Sequence, residues 1–142
     1  MKVFFDTDVC LDIVSQREPF SDKASRLFNR LYKGGEKIFV SSLTFVSLHY
    51  FLRKEKKSEA ETRAILERFK ATIEILPVTE KTVSKALWSG VDDFEDAVQA
   101  QSAELAGMDL IISRNAKDYK KAGVKVLTPA LYLASLRPPF TT

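Results

Sequence analysis

Acidic residues in three separate segments of the sequence are its best candidates for chemistry, namely Asp6, Asp96 and Asp118. Three carboxylates within about 4–6 Å of one another repel by a few kcal/mol per pair at an effective protein dielectric. A hard divalent cation, Mg²⁺ or Mn²⁺, removes this repulsion because it prefers oxygen ligands. Such a metal activates water and neutralises charge on a phosphate, so a cluster of these acids predicts phosphoryl chemistry.

Other common kinds of site are excluded by the residue counts. The 142-residue chain has one histidine, His49, and one cysteine, Cys10. These cannot form a zinc site built on Cys and His, a paired-histidine acid–base site or an intramolecular disulfide. Carboxylates therefore remain as the catalytic candidates.

The composition is that of one domain spanning residues 1–142. Apolar residues make up 45% of the chain and charged residues 29%, which is typical of globular proteins. No run approaches the roughly 18 apolar residues of a transmembrane helix, and the N-terminus becomes acidic at Asp6, too early for a signal peptide. We therefore expect a cytoplasmic protein without membrane association. The net charge of +3, from 22 basic and 19 acidic residues, permits nucleic-acid binding without requiring it.

Strands and helices alternate along the sequence. Short apolar runs predict strands, and apolar positions three or four residues apart behind capping residues predict helices. The predicted strands are 2–5, 37–40, 73–78, 109–113 and 124–127, and the predicted helices begin near 21, 42, 58, 79, 92 and 129. This alternation predicts an α/β fold with a mostly parallel sheet flanked by helices. Sites in such sheets form at the carboxyl ends of strands, where Asp6 and Asp118 follow theirs.

Each acid also has a structural explanation. Asp6 can cap the turn after its strand, and Asp92 with Glu95 matches the capping box of a helix start. Asp118 can pair with one of the lysines around it. Asp96 lies on a helix face that continues through alanines suited to packing on a sheet, so its carboxylate needs a partner.

Basic side chains surround the last of these acids. Phosphate contacts from basic residues orient a nucleic-acid strand across an acidic site. The predicted RNA contacts are Arg114, Lys117, Lys120 and Lys121. Tyr119, in the same segment, can stack on a base, although its position favours a buried core residue.

Three stretches of the sequence, in order, carry a family resemblance. They are FFDTDV around Asp6, VDDFEDAVQA around Asp96 and DLIISRNAKDY around Asp118. With the closing segment 126–129, they resemble the PIN domain, a family of small metal-dependent nucleases that includes the VapC-like toxin ribonucleases of bacterial toxin–antitoxin pairs. The resemblance covers nearly the whole chain.

The resemblance implies an endoribonuclease that hydrolyses RNA phosphodiester bonds with Mg²⁺ or Mn²⁺. The implied catalytic and metal-binding residues are Asp6, Asp96 and Asp118, with Asp93 as a further metal-binding acid on the same rim. The implied accessory residues are Thr7 and Asp8, which would shape the first loop, together with Asn115 and Ser47. An antitoxin protein and a second copy of the chain are the implied protein partners.

Ser47 marks a departure from the family pattern. The family commonly has a glutamate in the helix after the second strand, and Ser47 stands where that glutamate is expected. A hydroxyl is a weaker, neutral ligand, and the nearest downstream acid, Glu55, is too far along the helix to replace it. A second interpretation therefore stays open, in which a PIN-type fold with a weakened site only binds RNA or a partner protein.

A third interpretation comes from another enzyme class. An apolar strand followed by Asp6 and Asp8 also resembles the nucleophile loop of haloacid-dehalogenase-type phosphatases, in which Asp6 would attack phosphate and Asp8 would act as the acid. That fold requires a strand before its final acid pair. Residues 82–89, which precede Asp92 and Asp93, instead have helical spacing.

Overall fold

A central sheet with helices on both faces positions every candidate residue of the site. The computed structural model describes residues 1–119 and 121–136. The predicted RNA contact Lys120 and the end of the predicted domain, 137–142, lie outside the described residues. The fold class predicted from the alternation of strands and helices is confirmed.

Five strands form the sheet of the described residues, and all their pairings are parallel. They are β1 (Val3–Phe5), β2 (Ile38–Ser41), β3 (Glu74–Leu76), β4 (Leu110–Ile112) and β5 (Lys125–Leu127). Their order across the sheet is β3-β2-β1-β4-β5. A parallel sheet is covered on both faces, which explains why β1 and β4 are apolar and buried throughout.

Successive residues of β1 enter two different cores. Val3 and Phe5 pack on one face of the sheet in a cluster that includes Leu27 and Leu48. Phe4 points to the opposite face, in a cluster with Ala103. Because β1 is held from both sides, the residues that directly follow it have a fixed position.

Seven α-helices lie within the described residues, and six of them begin close to the predicted positions. They are α1 (Thr7–Val14), α2 (Ser21–Lys33), α3 (Ser42–Lys54), α4 (Glu59–Lys70), α5 (Glu80–Leu87), α6 (Phe94–Leu105) and α7 (Pro129–Ser135). A 3-10 turn, Ala116–Tyr119, follows β4. None of the described helices has the length and hydrophobicity that a membrane span requires.

Helix α1 was not predicted. Half of its residues are β-branched, which lowers intrinsic helix propensity. Burial of Val9, Cys10 and Leu11 outweighs that preference, and Asp6 caps the first turn. Thr7 and its neighbour Asp8 therefore begin a helix, and the prediction that they shape a loop is wrong.

The direction of the strand order changes beside β1. From β1 the chain builds outward to β2 and β3 on one side, and later to β4 and β5 on the other. The carboxyl ends of β1 and β4 thus meet at the switch point where α/β sheets bind ligands. The backbone N–H of Asp6 donates to the carbonyl of Ile112 at 2.9 Å, which joins the two strand ends directly.

Candidate active site

Asp6 is the most buried acid at this switch point, with 5% of the residue exposed. One carboxylate oxygen accepts from the Thr7 backbone N–H at 2.8 Å, and the other accepts from the Ser113 hydroxyl at 2.9 Å. Burial raises the pKa of Asp6, the nearby Asp8 carboxylate adds to this, and the two hydrogen bonds oppose it. The two hydrogen bonds thus hold the Asp6 carboxylate in one orientation, although burial makes its ionised form less favourable.

The start of α6 places the second acid. Asp93 is the N-cap, and its carboxylate accepts from the Asp96 backbone N–H at 3.0 Å. The predicted capping box of Asp92 and Glu95 is therefore wrong by one residue, because Asp93 reaches the third helical N–H and Asp92 precedes the cap. Asp96 consequently lies in the first turn of α6, with its side chain free of capping.

The pKa of Asp96 is raised to about 7. Burial is the largest cause, followed by the negative charges of Asp6 and Asp93, and Asp118 adds a smaller contribution. In the described part of the chain, no lysine, arginine or histidine forms an ion pair with Asp96 or Asp6. The two acids therefore repel each other without a basic partner.

Tyr119 lies between these acids. The predicted buried position is confirmed, since the residue is 2% exposed, and its hydroxyl donates to Asp96 at 3.3 Å. Burial and the charges of Asp6 and Asp96 raise the pKa of the Tyr119 phenol, which therefore stays protonated and acts as a donor. Tyr119 is too deeply buried to serve as the stacking platform considered above.

Glu95, an exposed residue next to Asp96, was predicted only as a capping residue, but the charges of the acidic cluster act on it. Burial raises its pKa, and the charges of Asp6, Asp93 and Asp8 contribute in the same direction. The negative charges around Asp6 therefore act on the Glu95 carboxylate. Its position next to Asp96, at the start of a helix that faces the sheet edge, was the pattern that could have identified it.

A buried polar network holds the two acid-bearing helices together. The Gln99 amide, fully buried one turn after Asp96, donates to the hydroxyls of Thr7 and Thr44 at 2.9 Å each. The Ser41 hydroxyl donates to the Gln99 carbonyl oxygen. Gln99 was not predicted, although an amide within the alanine-rich face of α6 is the kind of residue that needs buried partners.

A second unpredicted group fixes the segment after β4. Asp12 of α1 is fully buried, and its two oxygens lie 3.1 Å from Arg17 Nε and 2.9 Å from Arg114 Nε. The Arg114 guanidinium also lies over the Phe20 ring, 4.0 Å from its centre. Arg114, predicted to contact RNA, thus already uses its charge within the protein.

An open cleft of about 370 Å³ lies above the acids. Its lining includes Asp92, Asp93, Asp96, Asp118, Lys117 and Lys121. Lys121 crosses the cleft at Gly90, where a Cβ atom would come within 2.8 Å of the lysine side chain. The predicted basic contacts Lys117 and Lys121 therefore flank the acids, whereas Asp118 lies exposed on the cleft wall.

The remaining predicted residues lie around this cluster. The Asn115 amide donates to the Asp8 carboxylate at 3.3 Å. Ser47 is half-buried on α3, and no side-chain hydrogen bond within residues 1–119 and 121–136 joins it to the acids. The α3 residue that contacts the site network is Thr44, one turn earlier.

The donor set fits a hard cation. Among the described residues, no three acidic, His or Cys side chains are grouped closely enough to hold a metal by themselves. Mg²⁺, however, is commonly bound by one or two carboxylates and keeps several water ligands. Asp6 and Asp96 form such a pair, which offers only oxygen and carries uncompensated negative charge.

Comparison with known proteins decides the family. The PIN domain family model matches residues 2–117, which include β1, the start of α6 and the end of β4. The chain belongs to the PIN domain family. The phosphatase interpretation is therefore wrong, and the structure agrees, because helix α5 and not a strand precedes Asp92 and Asp93.

Individual relatives share the whole PIN domain. A VapC ribonuclease from Aquifex aeolicus (strain VF5) is 28% identical over 129 residues, which cover 87% of this chain and 94% of that protein. VapBC2 from Rickettsia felis, bound to a DNA fragment of its promoter, has a TM-score of 0.73 at 18% identity, covering 90% of this chain and 98% of that one. A toxin–antitoxin complex from Klebsiella pneumoniae has a TM-score of 0.67 at 21% identity, covering 89% and 97%.

Replacing Asp96 by Asn is expected to stabilise the metal-free protein at pH 8. The folded state raises the pKa of Asp96 to about 7, so ionisation costs stability as the pH rises from about 4 to 7, and this cost is complete above pH 7. Because the side chain is partly exposed, we expect a gain of about 1–2 kcal/mol. Thermal unfolding in EDTA measures it.

The gain of Asp96→Asn is expected to shrink towards zero as the pH falls to about 3, where the aspartate is largely protonated in both states. The control is Asp22→Asn at the exposed start of α2, which should change stability little at either pH. A lower melting temperature for Asp96→Asn at pH 8 in EDTA would show that the carboxylate is not repelled.

Replacing Gln99 by Met is expected to destabilise the fold by about 2–3 kcal/mol, because the buried hydroxyls of Thr7, Ser41 and Thr44 lose their shared partner. Chemical denaturation measures the change. Gln101→Met, at an exposed contact with Glu104, is the matched control and should stay within about 0.5 kcal/mol of the wild type. Equal stabilities of the two variants would contradict the structural role of Gln99.

Proposed function

We propose that this PIN domain protein is a metal-dependent endoribonuclease and the toxin of a toxin–antitoxin pair. The observation that carries the proposal is the pair of Asp6, which is buried, and Asp96, which is half-buried, at the switch point of the sheet. No basic side chain among the described residues pairs with either acid. An arrangement that costs stability and perturbs pKa values is typical of a functional site. The relatives support the reaction, since one is a VapC ribonuclease.

Asp6 and Asp96 would hold Mg²⁺ or Mn²⁺ in this proposal. When bound, the metal supplies an activated water and neutralises charge on the phosphodiester. In the hydrolysis, the water oxygen bonds to phosphorus, the bond from phosphorus to a ribose oxygen breaks, and that oxygen takes up a proton. Ser113 and Tyr119 keep the two carboxylates oriented by donating hydrogen bonds to them.

The other residues of the cleft have supporting roles. Asp93 and Asp118 lie on its wall and would act through bound waters. Lys117 and Lys121 would contact the phosphates on either side of the cleaved bond. Asn115 fixes Asp8 and would help to keep the first turn of α1 in place.

Protein partners are proposed from the relatives and from α3. A similar structure is a toxin–antitoxin complex, which supports an antitoxin as partner of this chain. Helix α3 buries Leu48 and Leu52 in the core but leaves Val46 and Tyr50 largely exposed. This outer face of α3 is our candidate for contact with a second copy of the chain.

Asp6→Asn is expected to lower cleavage of single-stranded RNA by roughly a hundredfold or more in Mn²⁺, because one of the two metal-holding carboxylates loses its charge. EDTA should abolish cleavage by the wild type. A gel assay of RNA fragments measures both effects, with Asp22→Asn as a control that removes an exposed carboxylate elsewhere.

Two results would contradict this proposal. An unchanged rate for Asp6→Asn would place the site elsewhere. A wild-type protein that neither cleaves RNA nor gains thermal stability in Mn²⁺ would instead support the alternative of a PIN fold that only binds RNA or protein.

A further inference from the structure

A second cavity lies beside the acidic cleft, between the start of α2, the end of β4 and the start of α7. Its volume is about 500 Å³, and its lining includes Phe20, Lys23, Arg114, Asn115 and Ala130. The hydrolysis proposed above does not involve this cavity. The volume lies within the range of sites that bind small organic molecules.

One wall of the cavity is built from charged side chains with fixed positions. Arg114 pairs with the fully buried Asp12 and lies over the Phe20 ring, and Arg17 pairs with the other oxygen of Asp12. Arg114 and Asp12 both line the cavity and offset each other's charge, whereas Arg17 is not among the described residues that line it. Lys23 places a positive charge at the rim, so the cavity favours an anionic ligand.

The other walls are flat and apolar. Pro19 and Pro129 line the cavity together with Phe20, a residue that is 43% exposed in spite of its size. An aromatic ring beside a guanidinium plane offers a surface on which a nucleobase can stack. An apolar slot with a positive rim therefore matches a nucleotide better than it matches an inorganic anion.

Asn115 connects this cavity to the acids. Its side chain lines the cavity, and its amide donates to Asp8, whose charge acts on Asp6. Asn115 therefore joins the lining of the cavity to the acidic end of α1.

We propose that this cavity binds one unpaired nucleotide of the RNA substrate, adjacent to the cleaved phosphodiester, with the base against Phe20 and a phosphate at Lys23. The proposal rests on the proposed function of the acidic site and adds a place where base identity can be selected. Arg114 acts here as a positioning residue, since its pair with Asp12 holds the wall against which the base packs.

Two pairs of variants test the cavity. Ala130→Trp fills it, whereas Ala134→Trp adds the same bulk to an exposed alanine one turn along α7. Lys23→Gln removes the rim charge, whereas Lys33→Gln removes an exposed charge at the other end of α2. Melting temperatures confirm that all four variants fold.

The probe is a short single-stranded RNA that the wild type cleaves, compared with the same RNA carrying an abasic ribose on either side of the cleaved bond. Ala130→Trp and one of the abasic sites should each lower kcat/KM about tenfold. Ala130→Trp should have no further effect on that abasic RNA, because the lost base is the group that it displaces. Lys23→Gln should raise KM, and both controls should behave as the wild type.

If Ala130→Trp and the wild type cleave every RNA equally, the proposal is wrong. A segment of a protein partner would then be the better candidate for binding in this cavity. A loss that is equally large on intact and abasic RNA would overturn the proposal as well. If the wild type cleaves no RNA, the proposed function fails, but fluorescence anisotropy of RNA binding in EDTA still tests the cavity. Weaker binding by Ala130→Trp alone would then support it, and equal binding would refute it.

Discussion

The repulsion between Asp6 and Asp96 is the constraint on which the rest of the site depends. Burial raises the pKa values of both groups, the charge of Asp8 adds to this at Asp6, and the charges of Asp6 and Asp93 add to it at Asp96. No basic side chain of the described residues pairs with either acid. The fold must therefore hold the Asp6 and Asp96 carboxylates near each other against their repulsion. It does so with neutral donors, since Ser113, Tyr119 and backbone N–H groups orient the carboxylates without cancelling their charge. The negative charge thus stays available for a cation.

The strand order provides the mechanical support for this arrangement. Because β1 lies between β2 and β4, Asp6 emerges at the switch point with Ser113 directly beside it. Gln99 then ties α6 to α1 and α3 through buried hydroxyls, so Asp96 cannot move away from Asp6 without breaking several hydrogen bonds. Packing of β1 into two cores supplies the stability that the acidic site costs.

Sequence patterns were sufficient for the strands and for most of the helices, because apolar periodicity and capping residues are local properties. They also placed Asp6 directly after its strand and Asp96 near the start of its helix, which is where the structure has them. Helix α1 was not predicted because its β-branched residues have low intrinsic helix propensity. Only burial in the folded protein stabilises this helix. Gln99 and the pair of Asp12 and Arg114 were missed for a different reason. Their roles depend on partners far away in the chain, which no local spacing can specify.

The most direct test of the metal site is anomalous X-ray scattering from crystals of the protein grown with Mn²⁺. A peak bordered by the carboxylates of Asp6 and Asp96, and absent from crystals of Asp6→Asn, is the result that the uncompensated charge of the pair predicts. A peak bound only elsewhere on the surface, or a peak that persists unchanged in Asp6→Asn, would contradict the assignment of these two acids as the metal-holding pair.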